Sequence, residues 1–238
     1  MQRSLIENKN LHEAPLKDMK QTLKGILKKT GLIDFAAKEA LKLHNWSYKT
    51  ASRLAKVREG HEIHPKHRIM DYHGWFLEQI EPSWKILDVG CGDGSLAFDL
   101  AQKAHSITAI DIDPKNIEKA KKIHERANIH YQVGNAVEEK FDAAFDAVTL
   151  SNVLEHIPDR VEFLKKLRPL TKRVLVRVPL IDRDWITLYK KELAVDYRLD
   201  PTHFIEYTFD EFKKETREAG LAITDFRTRY GELYAVCI

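Results

Sequence analysis

The chain of 238 residues has few cysteines and no long apolar segment. Its two cysteines, Cys91 and Cys237, are too few for a disulfide framework. No apolar run approaches the ~20 residues that a membrane-spanning helix needs. Residues 1–10 lack the apolar core of a signal peptide, and internal repeats and low-complexity tracts are absent. We therefore expect a globular protein of the cytoplasm with no membrane span.

The net charge of +3 conceals a basic N-terminal third. Residues 1–80 hold 15 Lys and Arg against nine Asp and Glu, whereas the remainder has a small acidic excess. Such a basic appendage could bind nucleic acid or lipid headgroups. However, Lys17, Lys20, Lys24 and Lys28 recur at three- and four-residue spacings between apolar residues, which is typical of the solvated face of an amphipathic helix. We favour this second interpretation.

The apolar pattern changes from helical periodicity to alternating strands and helices near residue 85. Before that point it predicts helices over about 15–30, 33–43, 47–57 and 66–80. After it, the predicted strands are 85–89, 107–111, 129–133, 145–151 and 172–178, and the predicted helices are 95–104, 115–127, 159–168 and 209–219. Runs 221–229 and 232–238, separated by Tyr230-Gly231, predict an antiparallel hairpin. This order indicates a doubly wound, mostly parallel α/β sheet with helices on both faces.

A glycine loop follows the first strand of this sheet. The short apolar run Ile86–Val89 leads into Gly90, Gly92 and Gly94, whose lack of side chains lets the backbone approach a ligand closely. The helix predicted from residue 95 would point its first N–H groups at that ligand. Asp111 ends the second strand, where an open α/β sheet places a carboxylate to bind a ribose diol.

The spacing of the loop separates two cofactor classes. Gly90-x-Gly92-x-Gly94 is one residue shorter than a dinucleotide fingerprint. The segment instead resembles the first motif of the class I S-adenosylmethionine-dependent methyltransferases, whose ribose-binding acid corresponds to Asp111. The resemblance covers about residues 65–238. It implies a seven-stranded Rossmann-like sheet with a C-terminal antiparallel hairpin, and S-adenosyl-L-methionine as the cofactor.

The same resemblance implies contacts along the whole cofactor. Gly90, Cys91 and Gly92 would lie against its methionine portion, and Asp88 would attract the ammonium group, although Asp88 could instead cap the loop. The implied contacts nearer the adenine and the carboxylate are Ile112, Asn135, Ala136, Ser151 and Arg68. Asn135 stands in Gly134-Asn135-Ala136, where these enzymes often have Gly-Asp-Ala, and its carbonyl oxygen can still accept a hydrogen bond. Asn135 could equally be a turn residue.

The fourth strand ends in Leu150-Ser-Asn-Val-Leu-Glu-His-Ile-Pro158. This segment resembles the Leu-Glu-His segment of small-molecule methyltransferases related to ubiquinone-biosynthesis O-methyltransferases. Some of those enzymes carry two glutamates before the histidine, for a divalent cation, but Asn152 replaces the first here. Because the loss of one carboxylate weakens a site for a hard cation, we expect no metal. His156 could be a general base or could orient the loop through a backbone hydrogen bond.

Four further histidines cluster before the sheet, at positions 61, 64, 67 and 73. Their spacing matches no standard zinc pattern, and no cysteine lies among them. Pro65 also interrupts any helix that would align them. We therefore expect no metal there either.

Residues 180–207 form an insertion too long for an ordinary connector. Its polar and aromatic side chains, at Asp182, Arg183, Asp184, Trp185, Tyr189, Tyr197 and His203, predict a substrate lid, and an aromatic plug in a surface groove is the alternative. His203 is a second candidate base. We predict a helical extension over 1–64 and a methyltransferase domain over 65–238.

The function predicted from these observations is methyl transfer from S-adenosylmethionine to a small-molecule acceptor, at oxygen in preference to nitrogen or carbon. One alternative is a nucleic-acid methyltransferase that uses the basic N-terminal region. The fourth strand lacks the Asn/Asp-Pro-Pro-aromatic motif of many such enzymes, so a nucleic-acid partner is not expected. A second alternative is a non-catalytic scaffold, which the intact glycine loop and Asp111 disfavour.

Overall fold

The computed structural model describes residues 25, 30–60, 64–142 and 144–238. These residues fall into two compact units. One contains the described residues of Met1–Ala55 together with Tyr189–Tyr197, and the other contains those of Lys56–Leu188 and Arg198–Ile238. The helix predicted over 15–30 lies outside the described residues except for Gly25 and Thr30. The division at residues 64 and 65 stays a prediction.

The first described helix, α1, runs from Leu32 to Glu59 without interruption. The sequence had predicted two helices, over 33–43 and 47–57, and the break predicted between them was wrong. The polar residues between them form hydrogen bonds that do not break the helix. The Ser47 hydroxyl donates to the His44 carbonyl at 3.0 Å, and the Asn45 side-chain amide donates to the Asp196 carbonyl at 2.6 Å.

Seven strands form one sheet in the order β3-β2-β1-β4-β5-β7-β6. The strands are β1 (Lys85–Val89), β2 (Ser106–Asp111), β3 (Ile129–Val133), β4 (Ala147–Ser151), β5 (Val174–Pro179), β6 (Ile223–Arg229) and β7 (Glu232–Cys237). The first five are parallel, and β7 pairs antiparallel with both β5 and β6. The predicted sheet and hairpin are confirmed, and β3 and β6 are the two edges.

The remaining described helices connect the strands. They are α2 (Lys66–Met70), α3 (Tyr72–Glu78), α4 (Ser95–Leu100), α5 (Pro114–Ile123), α6 (Arg160–Leu167), α7 (Trp185–Glu192) and α8 (Phe209–Glu218). Short 3₁₀ turns cover Leu154–His156, Arg168–Leu170 and Ile181–Arg183. The helix predicted over 66–80 is divided at Asp71, which adopts a left-handed conformation with φ of 48°.

Apolar clusters cover both faces of the sheet. Ile86 and Leu87, adjacent on β1, belong to different clusters because successive side chains of a strand point to opposite faces. Both clusters are fully buried at their centres, as a doubly wound sheet requires. The carboxyl ends of the parallel strands therefore meet at one edge, where a ligand can bind outside the core.

Among the described helices, none combines the length and the apolar character that crossing a bilayer requires. The cytoplasmic location stays a prediction.

Candidate active site

The glycine loop closes tightly on the ends of β1 and β2. The amides of Gly90 and Cys91 donate to the Ile110 carbonyl at 2.8 and 3.1 Å. Gly90 and Gly94 have positive φ values of 65° and 79°. A Cβ atom at Gly94 would lie 2.5 Å from the Tyr131 hydroxyl, so the turn has no space for a side chain.

Asp111 anchors this loop through its carboxylate. One oxygen accepts the Gly92 amide at 2.9 Å, and the other accepts the Asp113 amide at 2.9 Å and the Asn116 side chain at 3.2 Å. The side chain is largely buried. Because a carboxylate has about four lone-pair sites, it can still accept hydrogen bonds from a ligand. Asp111 thus fits its predicted ribose contact and has a structural role that the sequence did not reveal.

A cavity of about 390 Å³ adjoins Asp111. Its lining includes Gly90, Gly92, Asp111, Ile112, Asn116, Asn135, Ala136, Asn152, Val153, His156 and Phe163. Ile112 is 78% exposed, which leaves an apolar surface beside the carboxylate, suited to a purine ring. The side-chain NH2 of Asn135 donates to Glu138 at 2.8 Å, and its carbonyl oxygen, the predicted acceptor for adenine, already accepts the Val137 amide at 3.3 Å.

A second cavity, of about 400 Å³, shares Gly90, Gly92 and Asn152 with the first. Its other lining residues include Lys66, His67, Tyr72, His73, Asp88, Cys91, Ser151, Arg177, Leu199, Asp200, His203 and Glu232. Most of these side chains are polar or charged. The two cavities together provide an apolar end beside Asp111 and a polar end beside Asp88.

Asp88 is a buried carboxylate with spare hydrogen-bonding capacity. The Thr149 hydroxyl donates to one oxygen at 2.6 Å, and the other has no hydrogen-bond partner among the described residues. Burial raises the pKa of Asp88 to about 7, against the opposing effect of the Thr149 hydrogen bond. A cationic group in the cavity would stabilise the ionised form. Asp88 therefore fits the ammonium group of the predicted cofactor.

Arg68 does not line either of these two cavities. Arg68 is 69% exposed and pairs with Glu59 at 3.3 Å, beside a different cavity. Lys66 lines the cavity of Asp88 instead, and its ammonium has no ion pair among the described residues. Burial, and then the charge of Arg177, lower the pKa of Lys66. Lys66 is thus better placed than Arg68 for a cofactor carboxylate, and the predicted role of Arg68 is unsupported by its position.

Arg177 is a functional candidate that the sequence reasoning missed. It is buried on β5, its guanidinium lies 3.7 Å from the ring centroid of Tyr72, and it donates to Glu232 at 2.8 Å and to the Ser151 hydroxyl at 3.3 Å. A lone arginine in the apolar run Val174–Pro179 was the available signal. The arrangement presents a fixed cation and its counter-ion to the cavity.

The two candidate bases lie side by side. The ring centroids of His156 and His203 are 4.7 Å apart, with His156 lining the first cavity and the buried His203 lining the second. Burial, and then the neighbouring His203, lower the pKa of His156. A neutral imidazole can accept a proton, so the geometry suits general base catalysis at either residue.

Glu155 lies close to these histidines and is completely buried. One of its oxygens accepts the Asn152 side-chain amide at 2.7 Å, the other has no partner among the described residues, and burial raises the pKa of Glu155 to about 7. Among the described residues, Glu155, His156 and His203 form the only group whose donor atoms are close enough to hold a metal ion, within 4.8 Å of one another. The absence of a metal stays a prediction.

The earlier histidine cluster has other partners. His67 contacts the Tyr72 hydroxyl through Nδ1, and His73 contacts Asp99 at 2.6 Å. Burial, and then the nearby His73, lower the pKa of His67 to about 4, so it is neutral. His61 lies outside the described residues.

The insertion contains a 3₁₀ turn and helix α7. Leu199, Asp200 and His203 line the second cavity, whereas Trp185 is 72% exposed and Arg183 pairs with Glu206. Its role as a substrate lid stays a prediction.

Among known protein families, the model of a methyltransferase domain matches residues 86–173 of this chain. The ubiquinone biosynthesis O-methyltransferase of Paracidovorax citrulli is 32% identical over 119 residues, 47% of this chain and 50% of that protein. The protein of that name from Pseudomonas fluorescens is 31% identical over 131 residues, 53% of this chain and 52% of that protein. The chain spans about half the length of these curated relatives.

Solved structures share the fold. Magnesium protoporphyrin IX methyltransferase from Synechocystis, with bound SAH, has a TM-score of 0.56 at 18% identity, covering 72% of this chain and 82% of that one. A SAM-dependent methyltransferase from Methanosarcina mazei has a TM-score of 0.56 at 22% identity, covering 68% and 95%. At these identities the similarity concerns architecture alone.

Proposed function

We propose that this protein, whose matched domain and fold are those of the class I S-adenosylmethionine-dependent methyltransferases, methylates a small-molecule acceptor at a hydroxyl oxygen. Oxygen is favoured as the methyl acceptor because two imidazoles, of His156 and His203, line the two cavities next to the glycine loop. A hydroxyl needs a base to remove its proton, whereas an amine that arrives neutral does not.

The cofactor, when bound, supplies an electrophilic methyl group on a sulfonium that is also the leaving group. The cavity beside Asp111 and Ile112 fits its adenosine, and the cavity beside Asp88 and Lys66 fits its amino-acid portion. The chain must then position the acceptor and exclude water, which can supply about 7–11 kcal/mol of the barrier reduction.

The part of the second cavity that we assign to the methyl acceptor is lined mainly by polar residues. Ser151, Asn152, Arg177, Asp200 and Glu232 contribute hydrogen-bonding or charged groups there, and the aliphatic lining residues are Leu96 and Leu199. This lining supports a compact, hydrophilic acceptor. His203 lines the same cavity and His156 lines its neighbour, so His203 becomes the first candidate base and His156 the second.

A nucleic-acid acceptor has less support. Lys17, Lys20, Lys24 and Lys28, on which that alternative depended, lie outside the described residues. The relatives' names refer to ubiquinone biosynthesis, not to nucleic acids.

The test is an assay of the demethylated cofactor released with panels of small hydroxyl, amine and carbon-acid acceptors. Hydroxyl acceptors should be methylated, and His156→Ala together with His203→Ala should lower turnover by about 10²–10⁴ with little change in cofactor affinity. Calorimetry should show binding of S-adenosylmethionine and not of NAD. Near-normal turnover in the double variant would instead favour an amine or an already acidic phenol.

A further inference from the structure

The segment Asp200–Glu206 carries His203 and provides the Nδ1 partners of both candidate bases. Nδ1 of His156 lies 2.9 Å from the Thr202 hydroxyl, and Nδ1 of His203 lies 3.4 Å from the Glu206 carboxylate. The segment is joined to the turn that carries His156, because the Phe204 amide donates to the Glu155 carbonyl at 2.7 Å.

The direction of the hydrogen bond at His156 follows from the partners of Thr202. The Thr202 hydroxyl donates to the Asp200 carboxylate at 2.6 Å, and the Thr202 amide donates to the same oxygen at 2.8 Å. These two hydrogen bonds lower the pKa of Asp200, so it is ionised and can only accept. A hydroxyl has one O–H group, and that of Thr202 is already donated to the Asp200 carboxylate. Toward His156, the Thr202 oxygen is therefore an acceptor, and Nδ1 of His156 must carry the proton.

His203 has the same arrangement with a different partner. Glu206 has a completely buried side chain and pairs with the guanidinium of Arg183, so its carboxylate is ionised. It also accepts the Leu199 amide. An ionised carboxylate cannot donate, so Nδ1 of His203 is the donor.

We propose that Thr202 with Asp200, and Glu206 with Arg183, are positioning residues that hold His156 and His203 in the tautomer with a lone pair on Nε2. A neutral imidazole has one donor and one acceptor nitrogen, and the partner of the first decides which nitrogen is free to take a proton. The sequence Asp200-x-Thr202-His203-x-x-Glu206 thus prepares two bases from one short segment. The inference deepens the proposed methyl transfer, but the tautomers can be measured without any acceptor.

The experiment uses the 238-residue protein with ¹⁵N-labelled histidine rings, treated with a chelator to remove metal ions. NMR spectra that record the two-bond ¹H–¹⁵N couplings of these rings distinguish a protonated ring nitrogen from one with a lone pair. Both His156 and His203 should have Nδ1 protonated. Thr202→Val should move His156 toward the Nε2-protonated tautomer and leave His203 unchanged, and Thr202→Ser should restore the original state. Thr228→Val, the same substitution at an exposed position of β6, is the matched control.

Two results would overturn the proposal: Nε2 protonated at His156 in the unmodified protein, or a His156 tautomer unaffected by Thr202→Val. Because Thr202 is exposed, this variant should fold, and its circular dichroism and melting temperature would establish that it does. With an acceptor from the panel, Thr202→Val should lower kcat at least tenfold at unchanged cofactor affinity if His156 is the base. An altered tautomer with unaltered kcat would support the positioning and reject His156 as the base.

Discussion

At the scale of single residues, the site depends on charged groups that the fold keeps from pairing completely. Asp88 retains an oxygen without a partner, and Lys66 has no ion pair among the described residues. The buried Asp88 carboxylate costs stability while one oxygen lacks a partner, and a bound cationic group offsets that cost, whereas Lys66 is exposed and available to an anionic group. An anionic and a cationic side chain in one cavity favour a zwitterionic ligand, such as the amino-acid portion of the cofactor.

Replacing Lys66 tests which cation holds the cofactor carboxylate. Lys66→Met should weaken binding of S-adenosylmethionine about 10–150-fold, the equivalent of losing one charged hydrogen bond of about 1.5–3 kcal/mol. Calorimetry with 5′-methylthioadenosine, which lacks the amino-acid portion, should show no change. Arg68→Met is the matched control and should bind normally, since Arg68 pairs with Glu59 outside this cavity. Weakened binding in the control alone would restore Arg68 to the role predicted from sequence.

The raised pKa of Asp88 predicts pH-dependent cofactor binding. Asp88 titrates at about pH 7 in the free protein, so its negative charge is lost at lower pH. Affinity for S-adenosylmethionine should therefore increase from pH 6 to pH 7.5, and fall again as the ligand's own α-amino group loses its proton near pH ~8. In Asp88→Asn the increase in affinity between pH 6 and pH 7.5, the acidic limb of the pH profile, should disappear. An unchanged acidic limb in that variant would assign the titration to another group.

At the scale of elements, the glycine loop and the end of β2 act as one unit. The hydrogen bond from the Gly92 amide to Asp111 fixes the loop, and the same carboxylate fixes the start of the next connection through Asp113. Asp111, which the sequence singled out only as a ribose contact, therefore also holds the glycine loop in place.

Asp111→Ala should consequently have two effects. Cofactor affinity should fall by about 1.5–3 kcal/mol, and the free energy of unfolding of the apoprotein should fall by about 1–3 kcal/mol because the Gly92 and Asp113 amides lose their partner. Calorimetry and urea denaturation measure the two quantities separately. Asn116→Ala, which removes only the third partner of Asp111, should change each much less. Normal apoprotein stability in Asp111→Ala would mean that the loop does not depend on this carboxylate.

The elements that the sequence predicted well are those with strong local patterns. The apolar strands and the Tyr230-Gly231 turn carry their own signals, so β1 to β7 lie close to the predicted positions. The apolar pattern did not reveal the left-handed residue Asp71 or the continuity of α1 through Asn45 and Ser47, where Asn45 bonds to the distant Asp196 carbonyl.

At the scale of the whole molecule, the buried acids couple stability to pH. Burial raises the pKa values of Asp88 and Glu155 to about 7, above the value near ~4 of an unfolded chain. The native state thus binds more protons than the unfolded state between about pH 4 and pH 7, and its free energy of unfolding falls as pH rises through that range.

Thermal melts of the apoprotein should therefore show a lower melting temperature at pH 8 than at pH 6. Asp88→Asn, which keeps the shape and removes the titration, should raise the melting temperature at pH 8 and reduce the difference. A variant as pH-sensitive as the unmodified protein would exclude Asp88 as a source of the effect.

Most residues that the sequence predicted to contact the cofactor line one of the two cavities, whereas the lining residues that it missed come from distant segments. Asp88, Cys91 and Ser151 line one cavity and Asp111, Ile112, Asn135 and Ala136 the other, because strand order brings their loops to one edge. Lys66, Arg177 and Glu232 come from three separate parts of the chain. Their convergence is a property of the tertiary fold.

The edge strand β6 has a consequence for how the molecule behaves at high concentration. An unpaired strand offers a row of free amide and carbonyl groups to any neighbour, which is a route to aggregation. Here the strand carries Asp225, Arg227 and Arg229, and Arg227 pairs with Glu78 at 3.5 Å. A second edge approaching this strand would have to desolvate those charges. The hairpin thus completes the sheet and also discourages its extension into fibres.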